Sequence, residues 1–216
     1  MYVIAIKNRQ SEFAAMKILQ EKSLLRDDMI PLVEVIQEKF TYDNKIDPFT
    51  GETVREEKVC KGGKIIHRAV KDLSSPRDVT LEKIARLFPN RPVLVDYFRC
   101  DLSRYRYKPD KIPLVIQLNR DLGLYKTKVL GIAAYPNLIP IITVKRGIDA
   151  LKPDEVLALA GQLRVDNPAQ RIAIRIDDLE GYESAVKQVL RADDFLLYDF
   201  NEQPIRSKPI ECMQLR

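Results

Sequence analysis

The sequence has few of the residues on which disulfide-stabilised and zinc-stabilised proteins depend. Its 216 residues include three cysteines, a single histidine and no tryptophan, and no Cys-x-x-Cys pair occurs. With no Cys-x-x-Cys pair and one histidine the sequence offers no zinc framework, and three cysteines offer no disulfide framework. A Ser-His-Asp or Cys-His catalytic group would have to use His67.

Long hydrophobic runs are also absent. No apolar stretch approaches the roughly 18 residues that span a bilayer, and the N-terminal segment has no small-residue cleavage site. We therefore expect a cytoplasmic protein with no membrane partner. Hydrophobic residues form 45% and charged residues 31% of the chain, which is typical of a globular protein. The net charge of +5 favours an anionic partner.

Short apolar runs alternate with helical patterns along the chain. Strands of this kind, rich in Val, Ile and Leu, are typical of parallel β/α units with both sheet faces covered. Six units fit a (β/α) barrel or a doubly wound sheet, and the lack of an early Gly-rich phosphate loop favours the barrel. The runs are 3–6, 30–33, 92–95, 139–144, 171–176 and 195–198.

The predicted barrel-like α/β domain covers residues 1–216. A closed barrel has eight strands, so either this barrel is incomplete or other segments supply the missing strands. Residues 114–118 and the segment 38–75 are candidates for the missing strands. The segment 38–75 is an insertion after strand 2, and its turn signals at 47–51 and 61–64 predict a β-hairpin or flap.

A charged residue stands at or directly after the end of each apolar run. In the fifth run this residue is either Arg175 or Asp177. The carboxyl ends of barrel strands converge on one face, where catalytic groups lie. Carboxylates with lysines there could bind a divalent metal ion and a phosphate, or form an acid/base pair. Polar strand ends or ion pairs are the alternative. The candidate catalytic residues are Lys7, Glu34, Asp96, Lys145, Asp177 and Asp199.

The segment after Asp96 interleaves basic and aromatic residues. Guanidinium groups can contact phosphates while tyrosine rings stack on bases, a pattern that suits single-stranded nucleic acid. A loop with packed tyrosines and solvated arginines is the alternative. The candidate nucleic-acid-binding residues are Arg99, Arg104, Tyr105, Arg106, Tyr107 and Lys108.

Two weaker signals concern a cysteine and a glycine pair. Cys100 is predicted to be a small buried hydrophobe, although its position beside Arg99 could lower the pKa of its thiol. Lys61-Gly62-Gly63-Lys64 could cradle a phosphate with its backbone amides, but it lacks the Walker spacing. A flexible hairpin end is the preferred interpretation of these four residues.

The opening of the chain resembles the phage-associated Beta-protein family. The resemblance lies in Tyr2, Lys7, Glu12 three residues after Arg9, the run Ile30–Val35, and the later strands that end at Asp96 and Asp177. It is clearest over residues 1–36 and looser through about 200. The resemblance implies a barrel-like fold found in phages and beside nucleases in bacterial defence loci.

The functional expectation is a component of phage–host conflict that acts on or with nucleic acid, a nuclease or another phage or defence protein, through the polar strand ends. The alternatives are a barrel enzyme for a phosphorylated or carboxylated small molecule, and a purely structural interaction module. Whether the protein is an enzyme is left open at this stage.

Overall fold

The computed structural model describes residues 2–102, 108–145 and 148–199. The helices and strands in chain order are β1 (Tyr2–Lys7), α1 (Gln10–Glu21), β2 (Met29–Val35), β3 (Phe40–Thr41), β4 (Arg55–Val59), β5 (Ile65–Ala69), β6 (Arg77–Asp78), α2 (Thr80–Leu87), β7 (Val93–Tyr97), α3 (Pro113–Arg120), α4 (Leu122–Ile132), β8 (Leu138–Val144), α5 (Pro153–Leu163), β9 (Ala173–Ile176), α6 (Glu183–Val189) and β10 (Phe195–Tyr198), with a 3-10 turn at Pro109–Lys111.

The main sheet has six parallel strands in the order β1-β2-β7-β8-β9-β10. It curls into a half-barrel, which confirms the prediction of an incomplete (β/α) barrel-like fold. All six predicted apolar runs form its strands, and the strand order follows the chain order because each parallel pair is joined by a crossover connection. No helix in the described parts of the chain has the length and apolarity that a bilayer span requires.

The two faces of this sheet are both covered, as the near-continuous apolar strands predict. Side chains alternate along each strand, so residues of one parity form a cluster on the inner face of the curl. Helix α4 packs against β7 and β8. The inner cluster consists of Ile30, Leu32, Leu94, Ile139, Ile141 and Ala173, with Phe195 and Leu197 packed against it.

The predicted strand at 114–118 is wrong, because these residues lie in helix α3. Pro113 occupies the first turn of the helix, where its missing N–H costs nothing. Leu114, Val115 and Leu118 are its buried residues, and their spacing suits one helical face. A short apolar run cannot by its periodicity be told from a buried helix, and here the flanking proline decided for the helix.

The residues 38–83 form a separate compact unit. Within it, β3 pairs with β6, and β4 forms an antiparallel hairpin with β5. The hairpin predicted after strand 2 is therefore present, but the segment 38–75 adds no strand to the six-stranded sheet. The reason is that β4 and β5 are antiparallel neighbours in the chain. Their backbone hydrogen bonds form within the hairpin, whereas a strand of the parallel sheet would need a crossover connection.

The ends of β1 and β2 are joined by Asn8, which is 1% exposed. Its Oδ1 accepts a hydrogen bond from the backbone N–H of Ile36 at 3.0 Å, and its Nδ2 donates to the carbonyl of Gln37 at 2.6 Å. The Lys7 backbone N–H also donates to Glu12 Oε2 at 2.6 Å, from the first turn of α1. These bonds hold the chain where β1 ends.

We expect Asn8→Ala to lower the free energy of unfolding by about 1–3 kcal/mol, because it leaves a buried N–H and a carbonyl without partners. Urea unfolding measures this difference. Asn90→Ala, at an exposed position, is the control and should change stability by less than about 0.5 kcal/mol. Equal effects of the two substitutions would contradict the role of Asn8.

Candidate functional site: a charged cluster at the strand ends

Three charged residues are adjacent because of the register of the first three strands. Lys7 is paired with Glu34 across β1 and β2, and Glu34 with Asp96 across β2 and β7. Glu34 follows Leu32 by two residues, and Asp96 follows Leu94, so both lie on the inner face of the curl. The Lys7 Nζ lies 3.2 Å from Glu34 Oε2, so these two successive strand ends form an ion pair.

Arg175 of β9 is the residue that joins these carboxylates. Its Nη1 lies 2.8 Å from Glu34 Oε1 and 2.7 Å from Asp96 Oδ2. Its Nη2 lies 2.7 Å from Asp199 Oδ2, and its Nε donates to the same oxygen at 2.9 Å. Burial alone would lower the pKa of Arg175, but Asp96, Asp199 and Glu34 outweigh burial and hold that pKa above its ordinary value.

A third cation, Lys145, lies at the end of β8 and completes the group. Its Nζ lies 2.6 Å from Asp199 Oδ2, and its side chain is 2% exposed. The ring of Phe98 lies beneath the cations, with Lys145 Nζ at 5.0 Å, Arg175 Cζ at 5.6 Å and Lys7 Nζ at 5.9 Å from its centroid. We call Lys7, Glu34, Asp96, Phe98, Lys145, Arg175 and Asp199 the charged cluster.

The charged cluster rests on a second layer of buried polar side chains. Thr143 Oγ1 donates to Asp96 Oδ1 at 2.7 Å, and the Thr143 N–H donates to the Tyr125 hydroxyl at 2.7 Å. The guanidinium of Arg99 lies 4.8 Å from the Tyr125 ring and donates to the carbonyl of Asp149. Burial raises the pKa of Tyr125, so this hydroxyl remains a neutral donor and acceptor. The layer fixes the rotamer of Asp96.

Asp177, the remaining catalytic candidate, lies two residues beyond Arg175 and is buried. It lines a small cavity of about 80 Å³ together with Lys145, Tyr182 and Glu180. Lys145 thus belongs both to this cavity and, through Asp199, to the charged cluster. Glu34 and Asp96 meet at Arg175, and neither of them lines the cavity of Asp177.

Two of the six candidate nucleic-acid residues lie in the described part of the chain. Arg99 is fully buried under Tyr125, so in this structure its guanidinium is not on a surface that a nucleic acid could reach. Lys108 is exposed. Arg104, Tyr105, Arg106 and Tyr107 lie outside the described residues.

The predicted divalent metal site has no ready ligand set in the part of the chain that is described. No group of three or more His, Cys, Asp or Glu residues there has the geometry to hold a metal ion. Glu34, Asp96 and Asp199 are close to one another, but Arg175 lies between them and contacts all three. Their negative charge is therefore balanced by side-chain cations.

A larger cleft, of about 610 Å³, lies near the opposite ends of β2 and β7. Arg91 lines it and donates to the carbonyls of Arg26 and Met29 at 2.6 and 2.9 Å, and to Leu25 at 2.9 Å. These bonds satisfy the backbone carbonyls of the segment that leads into β2 and of its first residue, Met29. At the amino-terminal face of a parallel barrel such residues serve stability, so we place the candidate site at the charged cluster.

Sequence reasoning left Arg175 as an alternative to Asp177, and it did not find Thr143 or Phe98. A usable signal was present for Arg175, because it is the one charged residue within the apolar strand Ala173–Ile176. It also has the parity of Ala173, which faces the inner cluster. No sequence signal marked Phe98, because its role comes from three cations on three different strands or strand ends.

A comparison of the sequence with protein-family models finds no match, and a comparison with curated proteins likewise finds none.

The prediction that Cys100 is a small buried hydrophobe is confirmed, and the alternative of a lowered thiol pKa is wrong. Burial raises the pKa of this thiol to about 11, and the thiol is fully buried. The neighbouring Arg99 has no such effect, since its guanidinium lies over Tyr125 and bonds to Asp149 instead.

We expect iodoacetamide at pH 8 to modify Cys60, which is half-buried, and to leave Cys100 unmodified. With a pKa of about 11, roughly one Cys100 thiol in a thousand is ionised at pH 8. Peptide mass spectrometry measures each site separately, and unfolding in guanidinium is the control that should expose Cys100. Equal labelling rates for both cysteines in the folded protein would contradict the burial of Cys100.

We expect Arg175→Met to destabilise the protein by about 3–5 kcal/mol, because the substitution leaves three largely buried carboxylates without their shared cation. The measurement is urea unfolding of Arg175→Met, Glu34→Gln and the double variant. The double variant should lose less than the sum of the single variants, with a coupling of about 0.5–3 kcal/mol. Strictly additive losses would show that Arg175 does not stabilise Glu34.

Proposed function

We propose that the protein is a component of phage–host conflict that binds an anionic, phosphate- or carboxylate-bearing ligand at the charged cluster. One observation carries the ligand class: Lys7, Lys145 and Arg175 converge within 6 Å of the centroid of the Phe98 ring. The carboxyl ends of parallel strands are where such folds bind their ligands. The conflict role comes from the resemblance of the N-terminal segment to the phage Beta-protein family.

Within the cluster, Lys7 is the cation that best fits contact with a ligand. Its side chain is 25% exposed, compared with 13% for Arg175 and 2% for Lys145. Its ion pair with Glu34, at 3.2 Å, is also the longest of the cluster's ion pairs described above. An anion can therefore reach the Lys7 ammonium from solvent, whereas Arg175 would have to leave three carboxylates.

The carboxylates would serve to hold the donors in position. Glu34 and Asp96 orient Arg175, and Thr143 orients Asp96 in turn. Donors that are already oriented lose little freedom when an anion binds, which strengthens binding to the ligand. The charged cluster has three cations and three carboxylates, so its net charge is zero. An anionic ligand therefore gains most binding energy where it replaces Glu34 as the partner of Lys7. Catalysis by Glu34 as a proton acceptor is compatible with this arrangement.

The ligand can belong to either of two classes. Nucleic acid, with a nuclease or another phage or defence protein as partner, agrees with the resemblance. The alternative is a phosphorylated or carboxylated small molecule, on which the protein would act as a barrel enzyme. A thermal-shift screen with inorganic phosphate, nucleoside phosphates, small carboxylates and divalent ions tests the small-molecule class, because a ligand at 100 times its Kd stabilises by about 2.7 kcal/mol. An electrophoretic shift at two salt concentrations tests the nucleic-acid class, because phosphate contacts give a steep salt dependence.

We expect Lys7→Met to remain folded, with a loss of about 1–3 kcal/mol for a pair between the exposed and buried limits. The same variant should lose both the ligand-induced stabilisation and the effect on phage plaques in the native host, because the ammonium contacts the ligand. Circular dichroism, thermal shift and plaque counts measure these three quantities.

Lys17→Met is the matched control, since Lys17 is an exposed lysine of α1 in an i,i+4 pair with Glu21. It removes the same charge and should change none of the three measurements. A folded Lys7→Met protein with full ligand response and full plaque activity would refute the assignment of the charged cluster.

A further inference from the structure

The hairpin of β4 and β5, residues 55–69, is a two-stranded ribbon whose side chains are almost all exposed. Every residue of the two strands is exposed except Ala69, which is half-buried. The register pairs Arg55 with Ala69 at one end and Val59 with Ile65 at the other. A bare two-stranded hairpin is at best marginally stable in water, so an exposed one is a surface that a partner can cover.

The ribbon is strongly basic. Its fifteen residues carry five cations and two carboxylates, a net charge of +3 in a chain whose total is +5. None of these seven groups forms a salt bridge in the described parts of the chain. Glu56 alone lies opposite a cation, Arg68, in the strand register, so most of the positive charge faces solvent. The cations are Arg55, Lys58, Lys61, Lys64 and Arg68, and the carboxylates are Glu56 and Glu57.

We infer that the ribbon binds double-stranded nucleic acid. Each strand has five residues and is about 16 Å long, and the two strands lie about 4.8 Å apart. The major groove of B-DNA is about 12 Å wide and admits a two-stranded ribbon. At the tip, Gly62 and Gly63 have φ of +101° and +78°, and a Cβ at either would meet no other atom within 4 Å. The tip is therefore narrow and open.

The distribution of side chains favours a duplex over the other polyanions. Cations run from the tip, at Lys61 and Lys64, to the far end, at Arg55 and Arg68, which suits a rod of phosphates. The ribbon has no Phe, Tyr or Trp on which single-stranded bases could stack, and its one ring is the imidazole of His67. Val59 and Ile65, 66% and 54% exposed, suit apolar contact with thymine methyl groups.

This inference goes beyond the proposed function, because it concerns the unit 38–83 and none of the residues of the charged cluster. The test is fluorescence anisotropy of a 20-base-pair DNA duplex with the full chain, at several salt concentrations between 50 and 200 mM. The ribbon variant is Lys58→Gln/Lys61→Gln/Lys64→Gln. The control variant is Lys17→Gln/Lys22→Gln/Lys187→Gln, which removes the same charge at exposed helix positions.

The ribbon variant should reduce the slope of log K against log salt by about 3, since each phosphate contact contributes about 0.9. Its duplex affinity at 50 mM salt should fall at least tenfold, while the control variant keeps the wild-type affinity and slope. Circular dichroism establishes that each variant is folded.

Three results would overturn the inference: no duplex binding by the wild-type chain, an unchanged slope in the folded ribbon variant, or tighter binding to a single strand or to phosphatidylserine vesicles than to the duplex. Because Lys7→Met tests the charged cluster separately, failure of the ribbon leaves the proposed function standing, and the reverse also holds.

Discussion

The ion-pair network around Arg175 is the interaction on which the candidate site depends. One guanidinium contacts carboxylates that come from β2, β7 and the end of β10, and so links strands on both sides of β9. Taking a charge out of water costs several kcal/mol unless partners surround it, and here every donor group of Arg175 faces a carboxylate. The positions of Lys7 and Lys145 follow, because each pairs with a carboxylate that Arg175 already holds.

The inner face of the half-barrel changes from apolar to charged along its strands. Leu32, Leu94, Ile141 and Ala173 pack together in the middle of the sheet. Two residues later in the same strands lie Glu34, Asp96, Thr143 and Arg175. The apolar layer excludes water from below, and lower local polarity strengthens the charge interactions above it. Core and site are thus successive layers of the same face.

The two compact units handle charge in different ways. In the charged cluster of the half-barrel unit, cations and carboxylates are matched at distances of 2.6 to 3.2 Å. In the unit 38–83, the ribbon presents an excess of cations to solvent. Matched buried charges orient side chains and give specificity, whereas unmatched exposed charges attract a polyanion at long range with strong salt dependence.

The sequence by itself determined the fold class and most of the candidate site. Parallel strands can be recognised locally, since their apolar runs and the charged residue after each run need no long-range information; Lys7, Glu34, Asp96, Lys145 and Asp199 came from that rule. The tertiary structure alone decided that Arg175 rather than Asp177 occupies the centre, because the three carboxylates that contact Arg175 come from other strands that are far away in the sequence. It also decided that Arg99 is buried and that 114–118 is helical, since burial and packing arise from residues far apart in the chain.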